Sequence, residues 1–260
     1  WNPAALGRPT SNAYGLQIPF GAHAAITGSV IEGANDLEDL KSACSAAPLT
    51  CNANNEIQSA LDKINQPANG LRVGADGGAD FKVGGIAVFT NAFLDMGAVP
   101  FADSTALNIT TTAVVNATNN SKLTLKGAQV LEFGAGYGRE LPFAPGVFLG
   151  GNLKLLNATV GYYDYFVLQN NNEDSNMFSK FKNGAKKSVN FGVDLGALWD
   201  VGRTFENVPL HPRFGLVGRN LNNPKFNQPD AAVAAGVTGK FAVNPQVRMG
   251  ASLTPFNWWN

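Results

Sequence analysis

Charged side chains are scarce in this sequence. They make up 15% of its 260 residues, against roughly 25% in a typical soluble domain, and a soluble β-sandwich needs such residues to cover its outer surface. The charge that is present balances, 19 basic against 19 acidic residues, so nothing points to nucleic acid or to a basic membrane-surface patch. Long apolar runs are missing too. Without a stretch of about 18 such residues there is no transmembrane helix, but a β-barrel remains open, because its lipid-facing and lumen-facing residues alternate. Histidine occurs twice, as His23 on a small, polar strand face and His211 in the proline-flanked "PLHPR". Neither has a Ser, Cys or metal-ligand constellation near it in sequence, so the chain is not expected to be an enzyme, and no catalytic residue, metal or cofactor is assigned. A triad assembled in space is the remaining enzymatic route.

Cysteine is also rare. Cys44 and Cys51, in "CSAAPLTC", are close and separated by a proline, which fits one local disulfide in an oxidising compartment. Two reduced small hydrophobes are the alternative, and the spacing is not the C-x-x-C of a redox site.

The residues that are abundant follow a two-residue period. In "SVNFGVDLGALWDVG", Val189, Phe191, Val193, Leu195, Ala197, Trp199 and Val201 alternate with Ser188, Asn190, Gly192, Asp194, Gly196, Leu198 and Asp200. Strict alternation marks a β-strand, whose successive side chains point to opposite faces. The same pattern predicts strands over Phe20–Ile31, Leu71–Ala79, Val83–Gly97, Leu107–Val115, Lys122–Leu141, Gly146–Leu168, Ser188–Gly202, Arg213–Leu221, Ala235–Ala242 and Gln246–Thr254. Several exceed the usual strand of roughly 5–6 residues and suit the roughly 9–11 needed for a tilted bilayer crossing with extensions. Residues 1–17 read as a turn-rich plug segment. Residues 35–64 read as a two-helix insertion, opened by a capping-type Asn35 and joined by the Cys44–Cys51 loop.

A soluble sandwich alternates as well, but low charge, long strands, 29 glycines and aromatics near strand ends favour a membrane barrel. Tyr162, Tyr163, Trp199, Trp258 and Trp259 are the expected interface girdle. The expected fold is all-β, a single antiparallel outer-membrane barrel over residues 1–260. Trp1 in place of Met, and a last stretch that still reads as strand, lead to the expectation that the natural chain extends at both ends. Lys126, Glu132, Lys154, Asp194, Arg219 and Arg248 fall on the polar strand faces. They either line a permeation path or pair across strands and hold a plugged lumen shut. "QNNNEDSNMF" clusters oxygens that suit calcium, but it lacks the EF-hand pattern and reads as a solvated loop. Four N-x-[ST] sequons, at Asn108, Asn116, Asn119 and Asn157, read as strand and loop composition.

The order of motifs adds a resemblance. "WNPAALG" resembles the Asn-Pro-Ala start of FadL-type outer-membrane proteins, which folds into the lumen. It is followed by "NEIQSALDKINQPANG", "GIAVFTNAFLDMGAV", "FGAGYGREL", "GGNLKLLNATVGYYDY", "NFGVDLGALWDVG", "GLVGRNLNNPKF" and "PQVRMGASLTPFNWWN". Together these resemble the outer-membrane family of conjugal transfer TraF-like proteins, within the FadL- and PorV-type barrel group. The resemblance implies a bacterial outer-membrane location, with Asn2, Pro3 and Ala4 as plug or gate. FadL-type relatives carry small hydrophobic molecules, and PorV-type relatives assist protein export.

Two functions follow as expectations. One is passive transport of small hydrophobic ligands through the barrel. The other is a structural or scaffolding role in an envelope machine for secretion, conjugation or surface assembly. The expected partners are outer-membrane lipid, a small hydrophobic ligand or an envelope-complex protein, and no nucleic acid. A soluble β-sandwich binding module is the third reading.

Overall fold

The computed structural model describes residues 2–9, 14–33, 35–36, 39, 54–103, 120–166, 177–205 and 208–254. The alternating stretches form one antiparallel sheet: β1 (Tyr14–Gln17), β2 (Phe20–Thr27), β3 (Gly70–Val83), β4 (Ile86–Phe101), β5 (Lys122–Leu141), β6 (Ala144–Phe166), β7 (Lys186–Asp200), β8 (Arg213–Arg219) and β11 (Gln246–Ser252). From β3 to β8 each strand pairs with the next in sequence, and β11 pairs with β8. β1 and β2 share one edge of β3, interrupted at Ile18-Pro19. The two-residue strands β9 (Lys225–Phe226) and β10 (Phe241–Ala242) make a separate ribbon. The sheet curls into a half-barrel whose outermost strands are β1/β2 and β11.

Its two faces invert the arrangement of a soluble protein. Val189, Phe191, Leu195 and Trp199 of β7 are exposed, whereas Gly192, Asp194 and Asp200 at alternate positions are buried. β6 repeats this, with Leu149, Leu153 and Leu155 exposed and Asn152, Lys154 and Leu156 buried. Following the registers across the sheet puts Leu16, Phe20, Ile26, Leu71, Val73, Phe81, Val88, Leu94, Phe133, Tyr137, Phe214, Leu216, Val247 and Met249 on the same convex face. Among the described strand positions on that face only two are charged, Arg139 near one end and Lys187 near the other. The remaining strand charges lie on the concave side. No described helix is long and apolar enough to cross a membrane.

The two ends of the half-barrel also differ. At one end β3 and β4 join through Gly84-Gly85, where Gly84 has φ +55°, and β5 and β6 join through Pro142-Phe143. At the other end the longer links leave and rejoin the sheet; their described parts include helix α1 (Asn54–Ile64) between β2 and β3, α2 (Met177–Asn183) between β6 and β7, and α4 (Asp230–Ala234) in the 220–245 segment between β8 and β11. Helix α3 (Val201–Thr204) lies in the twelve-residue β7–β8 link at the short-turn end.

Several expectations need correction. Ala235–Ala242 is not a strand: α4 ends just before it, a turn at Ala235-Gly236 opens it, and only Phe241–Ala242 pairs. The predicted strand Val83–Gly97 contains the end of β3, the Gly84-Gly85 turn and the start of β4. Residues 14–17 belong to the sheet rather than to a plug segment. Residues 30–33 are already helical, right after the Gly28-Ser29 turn that ends β2, so helical structure does not begin at Asn35. Leu107–Val115, Cys44, Cys51, Trp258 and Trp259 lie outside the described residues.

Candidate functional site

Over β5, β6 and β7 the concave face is covered by the chain itself, in three layers, whereas on β2 and β11 it stays exposed. At the short-turn end sits a 3-10 turn, Pro3–Gly7, whose Ala4 and Leu6 are buried. Asn2 starts this turn by accepting a hydrogen bond on Oδ1 from Ala4 N at 3.0 Å. Its Nδ2 donates to Ala197 O at 3.0 Å and Leu216 O at 3.1 Å. One amide therefore serves the turn and ties it to β7 and β8. Glycine makes the space. A Cβ on Gly150 would collide with Pro3 carbonyl atoms, one on Gly138 with Pro3 O, and one on Gly196 with the Asn2 side chain. Three neighbouring strands thus each leave out a side chain where the turn approaches.

The middle layer is ionic. Lys154 on β6 is 1% exposed, Glu132 on β5 4% and Asp194 on β7 3%. Lys154 Nζ lies 3.2 Å from Glu132 Oε2, 2.9 Å from Asp194 Oδ1 and 2.8 Å from Asn220 Oδ1. Glu132 faces Leu156 in register and Asp194 faces Asn152, so both carboxylates are diagonal neighbours of Lys154, within reach of a long side chain. Asp194 also accepts from Asn220 N at 2.8 Å and Asn152 Nδ2 at 3.3 Å, and Glu132 accepts from Asn91 Nδ2 at 3.2 Å. Buried charges persist only when paired and hydrogen-bonded in this way.

The third layer, toward the long connections, is apolar. Ala128, Val130, Leu156, Ala158 and Val160 pack against Phe226, which is 1% exposed, with Phe93, Phe241 and Val243 around it. Phe226 belongs to the 220–245 segment, which folds back over the sheet. Leu221 N donates to Val193 O at 2.9 Å. Asn222 accepts from Val193 N at 3.0 Å and donates to Phe191 O at 2.8 Å. This side-chain amide stands in for a backbone on the part of β7 that β8 does not reach. Asn220 and Asn223 adopt positive φ, 53° and 48°, which asparagine tolerates better than most residues.

Of the sequence candidates, Glu132, Lys154 and Asp194 come together. The others are dispersed on the concave side: Lys126 is exposed with Nζ 5.7 Å from the Tyr162 ring centre, Arg219 is half-buried at the end of β8, and Arg248 is exposed and donates to Gln246 Oε1 at 2.9 Å. Asn2, Pro3 and Ala4 form the turn seated on β5–β7. Among the aromatic candidates, Trp199 is convex and tilted against Phe214 at 6.1 Å. Tyr163 is convex by register, but Tyr162 faces the concave side, where its hydroxyl lies 3.2 Å from Asp164 Oδ2. Asn91, Asn152, Asn220 and Asn222 were missed; the paired asparagines of "GRNLNNP" are the signal that marks the segment folding back.

Arginines gather at the short-turn rim. Arg213 Nε lies 3.0 Å from Asp200 Oδ2, and Arg8 shares that oxygen at 3.8 Å. Arg203 holds Glu140 through two hydrogen bonds, at 2.7 and 2.8 Å. Burial, then the neighbouring Arg213, push the Arg8 ionisation below its ordinary value, with Asp200 opposing.

The fold is an open antiparallel half-barrel, apolar on its convex face and ionic at the centre of its concave face. The chain belongs to the family described as F plasmid transfer operon, TraF, protein, which matches residues 1–260. No curated protein and no solved structure matches the chain significantly.

Proposed function

We propose that this chain is a structural component of a conjugation-related envelope machine, held in the bacterial outer membrane as part of a β-barrel, and not an enzyme. The observation that carries this reading is the inside-out sheet: a nearly uncharged convex face beside a concave face that the chain's own segments fill over β5, β6 and β7. Apolar surface of that extent is an association or membrane face rather than a solvated one. Family membership supports the conjugation assignment. The filled interior favours a scaffold over a conduit for small hydrophobic molecules, since the layer at mid-strand is ionic.

The test is electrophoresis of the membrane-extracted protein with and without heating, followed by planar-bilayer recording. A heat-dependent mobility shift with no steady conductance is the expected result. Stable open steps would overturn the scaffold reading, and a protein released into aqueous buffer with no shift would overturn the membrane reading.

Outer-membrane barrels place short turns in the periplasm and long loops outside. The Pro142-Phe143 turn is therefore expected inside and the α1 connection outside. With Cys44 and Cys51 changed to Ser, Phe143→Cys should resist an impermeant maleimide in intact cells, and Gln66→Cys should react. Reversed labelling would reverse the orientation.

A further inference from the structure

We propose that the short-turn rim holds the phosphate of an anionic phospholipid headgroup between Arg8 and Arg139. The inference rests on the membrane reading above and adds a ligand to it. A notch of ≈ 410 Å3 opens at this rim, lined by Leu6, Arg8, Gly85, Tyr137, Arg139 and Glu140 among others. Arg203 engages Glu140, and Asp200 is divided between Arg213 and Arg8. Arg139 makes no ion pair among the described residues. Four guanidiniums thus meet two carboxylates, and the two least satisfied ones, Arg8 and Arg139, line the notch.

Position identifies the anion. Along the convex face of β5 run Leu131, Phe133, Ala135, Tyr137 and then Arg139. Tyr14, Phe81, Trp199 and Phe214 lie on the same face near the same end. An aromatic belt followed directly by arginine is the order of chemistries met on leaving hydrocarbon for the headgroup layer. The guanidinium fork suits a phosphate geometrically.

The detergent-extracted full chain would be exchanged into phosphatidylglycerol, stripped stepwise and weighed intact by native mass spectrometry. Wild type is expected to retain the lipid, and R8Q/R139Q to lose about ten-fold or more of that retention. Lys225→Gln, remote from the rim, should retain lipid like wild type. A double variant that still shows the heat-dependent mobility shift and keeps its lipid would overturn the inference alone. Inorganic phosphate displacing the lipid at equal concentration would reassign the notch to a free anion. A wild type that needs no detergent would overturn the membrane reading itself, and is visible before any variant is made.

Discussion

Replacing Lys154 with Met is expected to cost about 3–5 kcal/mol, because it strands buried charge. Glu132 and Asp194 would face each other with only the amides of Asn91, Asn152 and Asn220 to hold them. Urea titration of the reconstituted protein, read by tryptophan fluorescence, should show the midpoint falling well below wild type. The triple change Lys154→Met with Glu132→Gln and Asp194→Asn should recover most of the loss, since no charge then remains to be buried. A single variant as stable as wild type would show that the ion pairs carry no stabilisation. Lys126→Met, on the same face but exposed, should stay within about 0.5 kcal/mol.

Gly150→Val should expel the N-terminal turn. Even a Cβ at position 150 meets the Pro3 carbonyl; the Cβ is fixed by its own backbone and the carbonyl is backbone, so neither can yield by changing a rotamer. Overpacking of this kind costs about 1–3 kcal/mol or more, and releasing the turn is the cheaper outcome, because β6 is paired on both sides from Phe148 to Val160, around the substituted position. Limited proteolysis should cut near Arg8 in the variant at a rate at least about ten-fold above wild type, an effect of the size expected from such a shift. Removing residues 1–9 from both proteins should abolish the stability difference between wild type and the Gly150→Val variant. If the two shortened proteins still differed, the clash would lie elsewhere than in the turn.

Much of this arrangement was legible in the sequence because a period of two survives any register. The alternation in "SVNFGVDLGALWDVG" separates the two faces correctly, and low charge foretells which face lacks it. The hairpin at Gly84-Gly85 was hidden for a related reason: among 29 glycines a glycine pair no longer stands out as punctuation. β1 is four residues long and broken from β2 by Pro19, which cannot donate to a ladder, so it blended into the turn-rich start. Ala235–Ala242 carries small residues that alternate without packing to enforce a strand. The ionic layer shows the deeper limit. Glu132, Lys154 and Asp194 are each visible as polar-face charges, but their meeting depends on where the Pro142-Phe143 turn and the 167–185 connection set the registers. Asn220 reaches them only because a distant segment folds back over the sheet.

The seat of the N-terminal turn also imposes an order of events. Asn2 donates to carbonyls 195 and 214 residues along the chain, among the most distant contacts this molecule makes. The groove it occupies does not exist until β5, β6 and β7 are side by side and β8 has joined them. Residues near the start of the chain must therefore wait, undocked, while everything from β3 to β8 assembles, and such long-range closure is slow. Docking of Pro3–Gly7 then becomes a late checkpoint, which only a correctly registered sheet can pass.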